Sequence, residues 1–146
     1  MENSSLKYGI AAGLLTIIFY TVVYMIDRSL FFSPIVHWSS FLFYIYFMAV
    51  AWKDAGKPED FRESLKIMFV IYLIANAIYY IFYYLIFKVV DPDIVEIQKE
   101  MMVSRGMDIE GINFDLNFTQ LILGYASSCI GGFVIAAITA YLVKKL

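Results

Sequence analysis

Four long stretches of this chain contain no Asp, Glu, Lys or Arg: residues 8–26, 34–52, 67–87 and 118–143. Each is close to the ~20 residues that an α-helix needs to cross about 30 Å of hydrocarbon. Lipid offers no partner to backbone N–H and C=O groups, so only helices and closed barrels span it. Barrel strands alternate apolar and polar residues over about ten positions, and these runs are longer and do not alternate. The chain is therefore expected to be all-α, a polytopic membrane protein with four transmembrane helices in a bundle, forming one domain over residues 1–146. Composition agrees, with 62% hydrophobic and 16% charged residues against about 45–50% and about 25% in soluble domains. A chain this short could not hide so much apolar surface in a core of its own.

The first run is expected to be retained as a span. Only Lys7 precedes it closely, it is long for a signal peptide, and no small-x-small cleavage pattern follows it. Four spans put both termini and the middle loop on one side. That side holds Lys7, Lys53, Lys57, Arg62, Lys66, Lys144 and Lys145, and the other holds Arg28, Lys88, Lys99 and Arg105. The positive-inside rule then places both termini in the cytoplasm, with residues 88–115 outside. Ser33 and Pro34 read as the cap and first residue of the second helix. Asp60 with Glu63 three residues later reads as a capping box for the third, whose charged start is expected either to run along the interface for a turn before entering lipid or to be part of a solvated loop.

The outer connection, 88–115, is the longest segment outside the spans. In "DPDIVEIQKEMMVSRG", Asp91 is expected to cap a short amphipathic helix, Pro92 to take its first position and Gly106 to stop it. Ile94, Ile97 and Met101 share one face, so the helix is expected either to lie on the outer leaflet or to fold over the bundle. The following "MDIEGINFDLN" reads as irregular.

Several function classes lack their chemistry. The net charge of −2 and the absence of a basic stripe speak against nucleic-acid binding. One Cys and one His cannot make an ordinary zinc site within one chain, and no cofactor is implied. No paired carboxylates, Gly-rich phosphate loop or Ser/His/Asp set is recognisable, so no enzymatic activity is expected. The spans carry none of the acids or bases that ion-coupled carriers use.

The polar residues of the spans nevertheless have order. At about 100° per residue, Tyr72, Asn76, Tyr79, Tyr80, Tyr83 and Phe87 share one side of the third span. Ile71, Ile74, Ile78, Ile81, Phe82 and Leu85 share the other, which is expected to meet lipid. The first span gathers Gly9, Ala12, Gly13, Thr16 and Tyr20, the second His37, Ser40, Tyr44 and Met48, and the fourth Gly124, Ser127, Ser128, Gly131 and Gly132. Thr16, Tyr44, Asn76, Ser127 and Ser128 all fall near mid-membrane, where an amide needs a partner. The expected interior cluster is Thr16, Tyr20, His37, Tyr44, Asn76, Tyr80, Ser127 and Ser128, with Asn76 bonded to Tyr44, Ser127, Ser128 or a buried water. Two readings stand side by side: interhelical hydrogen bonds that hold the bundle, or a tyrosine-lined pocket for a lipid or small molecule.

Small residues mark close packing. Gly124, Ser128, Gly132, Ala136 and Ala140 recur at every fourth position, and Gly9 and Gly13 form a G-x-x-x-G. Such residues let backbones approach, and the first and fourth spans are expected to touch along them.

The stretches "SSLKYGIAAGLL" and "DFRESLKIMFVIYLIANAIYYIFYYLIFKVVDPDIVEIQKE" resemble the family designated domain of unknown function 4199. The matching positions are Phe61, Glu63, Ser64, Leu65 and Lys66, then Asp91 and Pro92. The resemblance implies a small four-span bacterial inner-membrane protein with no assigned activity, and it transfers no catalytic residue. The leading expectation is a structural or accessory membrane protein, acting through contacts with the lipid bilayer and with another membrane protein or itself. The alternative is a small carrier or lipid-binding protein that uses the tyrosine-lined interior.

Overall fold

The structure, a computed structural model, describes residues 2–145 and contains no strand among them. Its helices are α1 (Glu2–Ile26), α2 (Pro34–Asp54), α3 (Phe61–Leu85), α4 (Ile94–Ser104) and α5 (Phe118–Val143). A 3-10 turn, Arg28–Phe32, joins α1 to α2, and a π turn, Ile86–Val90, extends α3. Helices α1, α2, α3 and α5 are each long and apolar enough to cross a membrane. They are the four expected spans, and α4 is the expected short helix.

Local chemistry sets most helix ends. Asp60 does cap α3, accepting from Arg62 N at 3.2 Å, but the expected capping box is not closed, since Glu63 makes no return bond and only adds its charge to the first turn. Ser64 on that turn accepts from Trp52 Nε1 at 3.2 Å and donates to Pro58 O at 3.1 Å, which ties α3 to the end of α2. Pro34 does open α2, although the Ser33 side chain makes no capping bond. At α5, Asn117 Oδ1 accepts from Gln120 N at 2.8 Å while Gln120 Oε1 accepts from Asn117 N at 3.4 Å. This is a reciprocal capping box that the sequence reading missed.

Helix α4 corrects one expectation. Asp91 does not cap it: the helix begins at Ile94, after Asp93, with no side-chain cap. The Asp91 carboxylate is engaged elsewhere, by Arg28 Nη2 at 2.6 Å and by the Tyr24 hydroxyl at 2.9 Å. Charge-assisted bonds of this kind outweigh a single capping bond. Gly106 ends the helix as expected, at φ 77°, with Met107 N donating to Met102 O at 3.0 Å. The helix folds over the bundle. Ile94 is fully buried in a cluster with Tyr20, Phe31, Ile86 and Phe87, and Arg105 donates to Phe32 O at 3.2 Å.

Helix α3 is the axis of the bundle. It packs on α1, α2 and α5, and α2 also touches α1 and α5, whereas α1 and α5 stand on opposite sides. The expected contact between the first and fourth spans is therefore not formed. Their small residues turn toward α3 instead. A Cβ at Gly9 would lie 2.8 Å from Ile74 Cβ, and one at Gly13 would lie 2.8 Å from Ile78 Cδ1 and 3.2 Å from Ala75 Cα. A Cβ at Gly132 would fall 2.0 Å from Tyr72 Cε1, and Ala136 and Ala140 are fully buried. The expected lipid face of α3 is corrected for the same reason. Ile71 is fully buried and Ile74 and Ile78 lie under α1, while Ile81 and Leu85 are exposed. A helix enclosed on three sides has little lipid face to offer.

Two packed regions result. One, near the termini, centres on Met48, Ala51, Met68, Ile71 and Ala136. There Ser4 Oγ donates to Asp54 Oδ2 at 3.0 Å, and Lys144 reaches Glu59 O. The other, at the end that α4 covers, is the aromatic cluster around Phe31. Between them the bundle is open.

Candidate functional site

The opening is a cavity of about 580 Å³. Ligand pockets span about 300–1,000 Å³, so its size suits a small molecule. All eight residues of the expected polar cluster line it: Thr16 and Tyr20 from α1, His37 and Tyr44 from α2, Asn76 and Tyr80 from α3, Ser127 and Ser128 from α5. The helical period explains how. Each helix turns its polar stripe toward one axis, and α3 brings the stripes together.

Hydrogen bonds fix the deep wall. Asn76 Nδ2 donates to Ser128 Oγ at 2.6 Å, and Ser128 Oγ donates to Tyr125 O at 2.7 Å. The serine has one proton and gives it to Tyr125, so the amide must present its NH₂ to the serine. This sets the orientation of Asn76 and leaves its carbonyl oxygen free. The Tyr72 hydroxyl donates to Ser128 O at 3.0 Å, and Thr16 Oγ1 donates to Ala12 O at 2.8 Å. At the rim, the Tyr20 hydroxyl lies 3.2 Å from His37 Nδ1.

No fully buried side-chain N or O lacks a partner among the described residues. The Tyr44 and Tyr80 hydroxyls and the Asn76 carbonyl also line the cavity, with Tyr44 beside Thr16 and Tyr80 beside Ser128, and Ser127 is exposed at its mouth. Three donors and an acceptor thus converge on a volume whose remaining walls are aromatic and aliphatic. The rings are in mutual contact, with centroids 5.4 Å apart for Tyr44 and Tyr72 and 5.0 Å for Tyr20 and Tyr79.

The cavity opens sideways. Its exposed lining residues, among them Trp38 at 68%, Val134 at 51% and Ile138 at 54%, all belong to α2 and α5. The gap between these helices faces the surroundings of the bundle. Toward α4, His37 and Tyr79 also border a smaller space of about 260 Å³ that is roofed by Gln98, Met101 and Arg105.

No Asp, Glu, Lys or Arg lines the main cavity. Among the described residues no group of three His, Cys, Asp or Glu could hold a metal ion. Chemically the site can donate and accept neutral hydrogen bonds, stack on flat groups and exclude water. A slightly larger cleft of about 630 Å³ lies outside the bundle, between α4 and residues 109–116. It is solvent-facing, and its lysines are already paired, Lys88 with Asp115 and Lys99 with Glu96 at 2.8 Å.

Sequence reasoning missed part of the lining. Trp38 and Phe41 stand on the same face of α2 as His37 and Tyr44, so the period could have found them. Val134, Ile135 and Ile138 carry no polar signal and depend on the spacing between α2 and α5.

Four apolar spans around a shared polar interior define a polytopic membrane protein. The chain belongs to the family described as protein of unknown function DUF4199, which matches residues 7–145. No curated protein matches the chain, and no solved structure matches it.

Proposed function

We propose that the protein binds a small amphiphilic molecule inside the bundle, as a carrier or lipid-binding protein of the membrane. One observation carries the reading: a cavity of about 580 Å³ lined by tyrosine and serine hydroxyls and by an asparagine amide. A bundle interior that serves only to hold helices together satisfies its polar groups internally and closes around them. This interior stays open at its centre. The side opening lets a lipid-soluble molecule enter without crossing water. With no Asp, Glu, Lys or Arg lining the cavity and no metal-ligating group of three among the described residues, the proposed role is binding rather than chemical conversion. We place the protein in a bacterial inner membrane with both termini and residues 53–66 in the cytoplasm, on the strength of the basic residues named above and the family resemblance.

The test is native mass spectrometry of the protein released from mild detergent, compared with Gly131→Phe. Gly131 lines the cavity and a Cβ there meets nothing within 4 Å, so a larger side chain starts in open space. Wild type should carry a discrete small-molecule adduct and the variant should lose it. Equal spectra from two folded proteins would return the cluster to a structural role in an accessory protein.

A further inference from the structure

Three properties of the cavity narrow its ligand. The first is charge. A phosphate or ammonium buried where no ion lines the wall would lose its hydration without compensation, so the part of the ligand that enters is neutral. The second is shape and polarity. Aromatic rings form the walls, and the lining hydroxyls of Tyr44, Tyr80 and Ser127 are donors that suit carbonyl oxygens on a flat ring. The third is an apolar extension. Ile135 and Ile138 also border a second space of about 340 Å³, lined by Ile45, Ala49, Leu142 and Val143, which runs between α2 and α5 toward the terminal end. Together they make a head chamber with a hydrocarbon groove leading away.

A glycerophospholipid fits this plan poorly, because its charged head would find no ion in the chamber wall. The geometry points to an isoprenoid-quinone-type lipid, its neutral dione ring in the chamber and its tail in the groove between α2 and α5. This assignment rests on the interior-binding reading proposed above. Diacylglycerol offers the same neutral oxygen acceptors without the flat ring, and it is the natural competitor in a test.

Trp38 lines the chamber and Trp52 sits in the packed region near the termini, so a quinone in the chamber should quench one tryptophan and spare the other. Full-length protein in nanodiscs of phosphatidylcholine would be titrated with a short-chain menaquinone and the tryptophan emission followed. Saturable quenching is expected, absent in Trp38→Phe and in Gly131→Phe. Tyr44→Phe and Tyr80→Phe should each weaken it by about threefold to tenfold, the loss of one hydrogen bond. Tyr24→Phe, remote from the chamber, should leave it unchanged and controls for stability. Displacement of the quinone by equimolar dioleoylglycerol, or quenching that never saturates while native mass spectrometry still shows a Gly131-sensitive adduct, would overturn the ring assignment and leave interior binding standing. Unsaturable quenching with no such adduct would remove both.

Discussion

Gly131 and Gly132 are neighbours on α5 with opposite surroundings, and alanine at each should act oppositely. Both substitutions gain helix propensity, up to about 1 kcal/mol. At Gly131 nothing stands within 4 Å of the new Cβ, so the gain is kept. At Gly132 the Cβ would lie 2.0 Å from Tyr72 Cε1 and 2.2 Å from Cδ1, where carbon contacts settle at about 3.5–4 Å. The ring must move by more than an ångström. It is held there by Tyr44, at a centroid distance of 5.4 Å, and by the bond from its hydroxyl to Ser128 O. Overpacking costs about 1–3 kcal/mol and a lost hydrogen bond about 1 kcal/mol. The net result is a destabilisation of about 1–3 kcal/mol for Gly132→Ala and a stabilisation of up to about 1 kcal/mol for Gly131→Ala. Reversible unfolding in mixed detergent micelles, followed by far-UV circular dichroism, would measure both. Equal shifts in the same direction would mean that α5 is rotated from the register described here.

Other perturbations test other parts of the molecule. Asp91→Ala strips Arg28 and Tyr24 of their shared partner and should cost about 1–3 kcal/mol, with faster amide hydrogen exchange over α4; unchanged exchange would show that Asp91 does not anchor that helix. Gly13→Ile should force α1 off α3 at Ile78 and Ala75 and lower thermal stability by about 1–3 kcal/mol, read as a reduced melting temperature in detergent. Asn76→Leu should have a mild effect on stability, because the apolar side chain removes the desolvation cost along with the bond and Ser128 keeps Tyr125 as acceptor. For topology, single cysteines at Lys57 and Lys99 in a background lacking Cys129 report through an impermeant thiol reagent on intact cells: Lys99→Cys should label and Lys57→Cys should not, and the reverse pattern would invert the assignment.

How much of this could be read before the structure depends on the kind of interaction. The polar stripe of α3 follows from helical period alone, and Tyr72, Asn76 and Tyr80 do meet Ser128 and its neighbours on α5. The small residues were legible as sites of close approach, but a glycine states how near a neighbour can come and not which helix it is. Gly9 and Gly13 accordingly meet Ile74 and Ile78, which helical period alone assigns to the lipid side of α3. Asp91 shows the same limit at a loop. Its spacing from Pro92 suits a cap, and only the fold reveals that Arg28 and Tyr24, more than sixty positions away, engage it. The cavity is the least legible feature, since an empty volume depends on how far apart α2 and α5 stand.

An experimental structure of the protein in lipid nanodiscs would decide whether the interior is a binding site. Elongated non-protein density is expected between Asn76, Tyr44 and Ser127, continuing past Ile135 and Ile138 between α2 and α5. Helices α2 and α5 closed against each other, with no density between them, would contradict it.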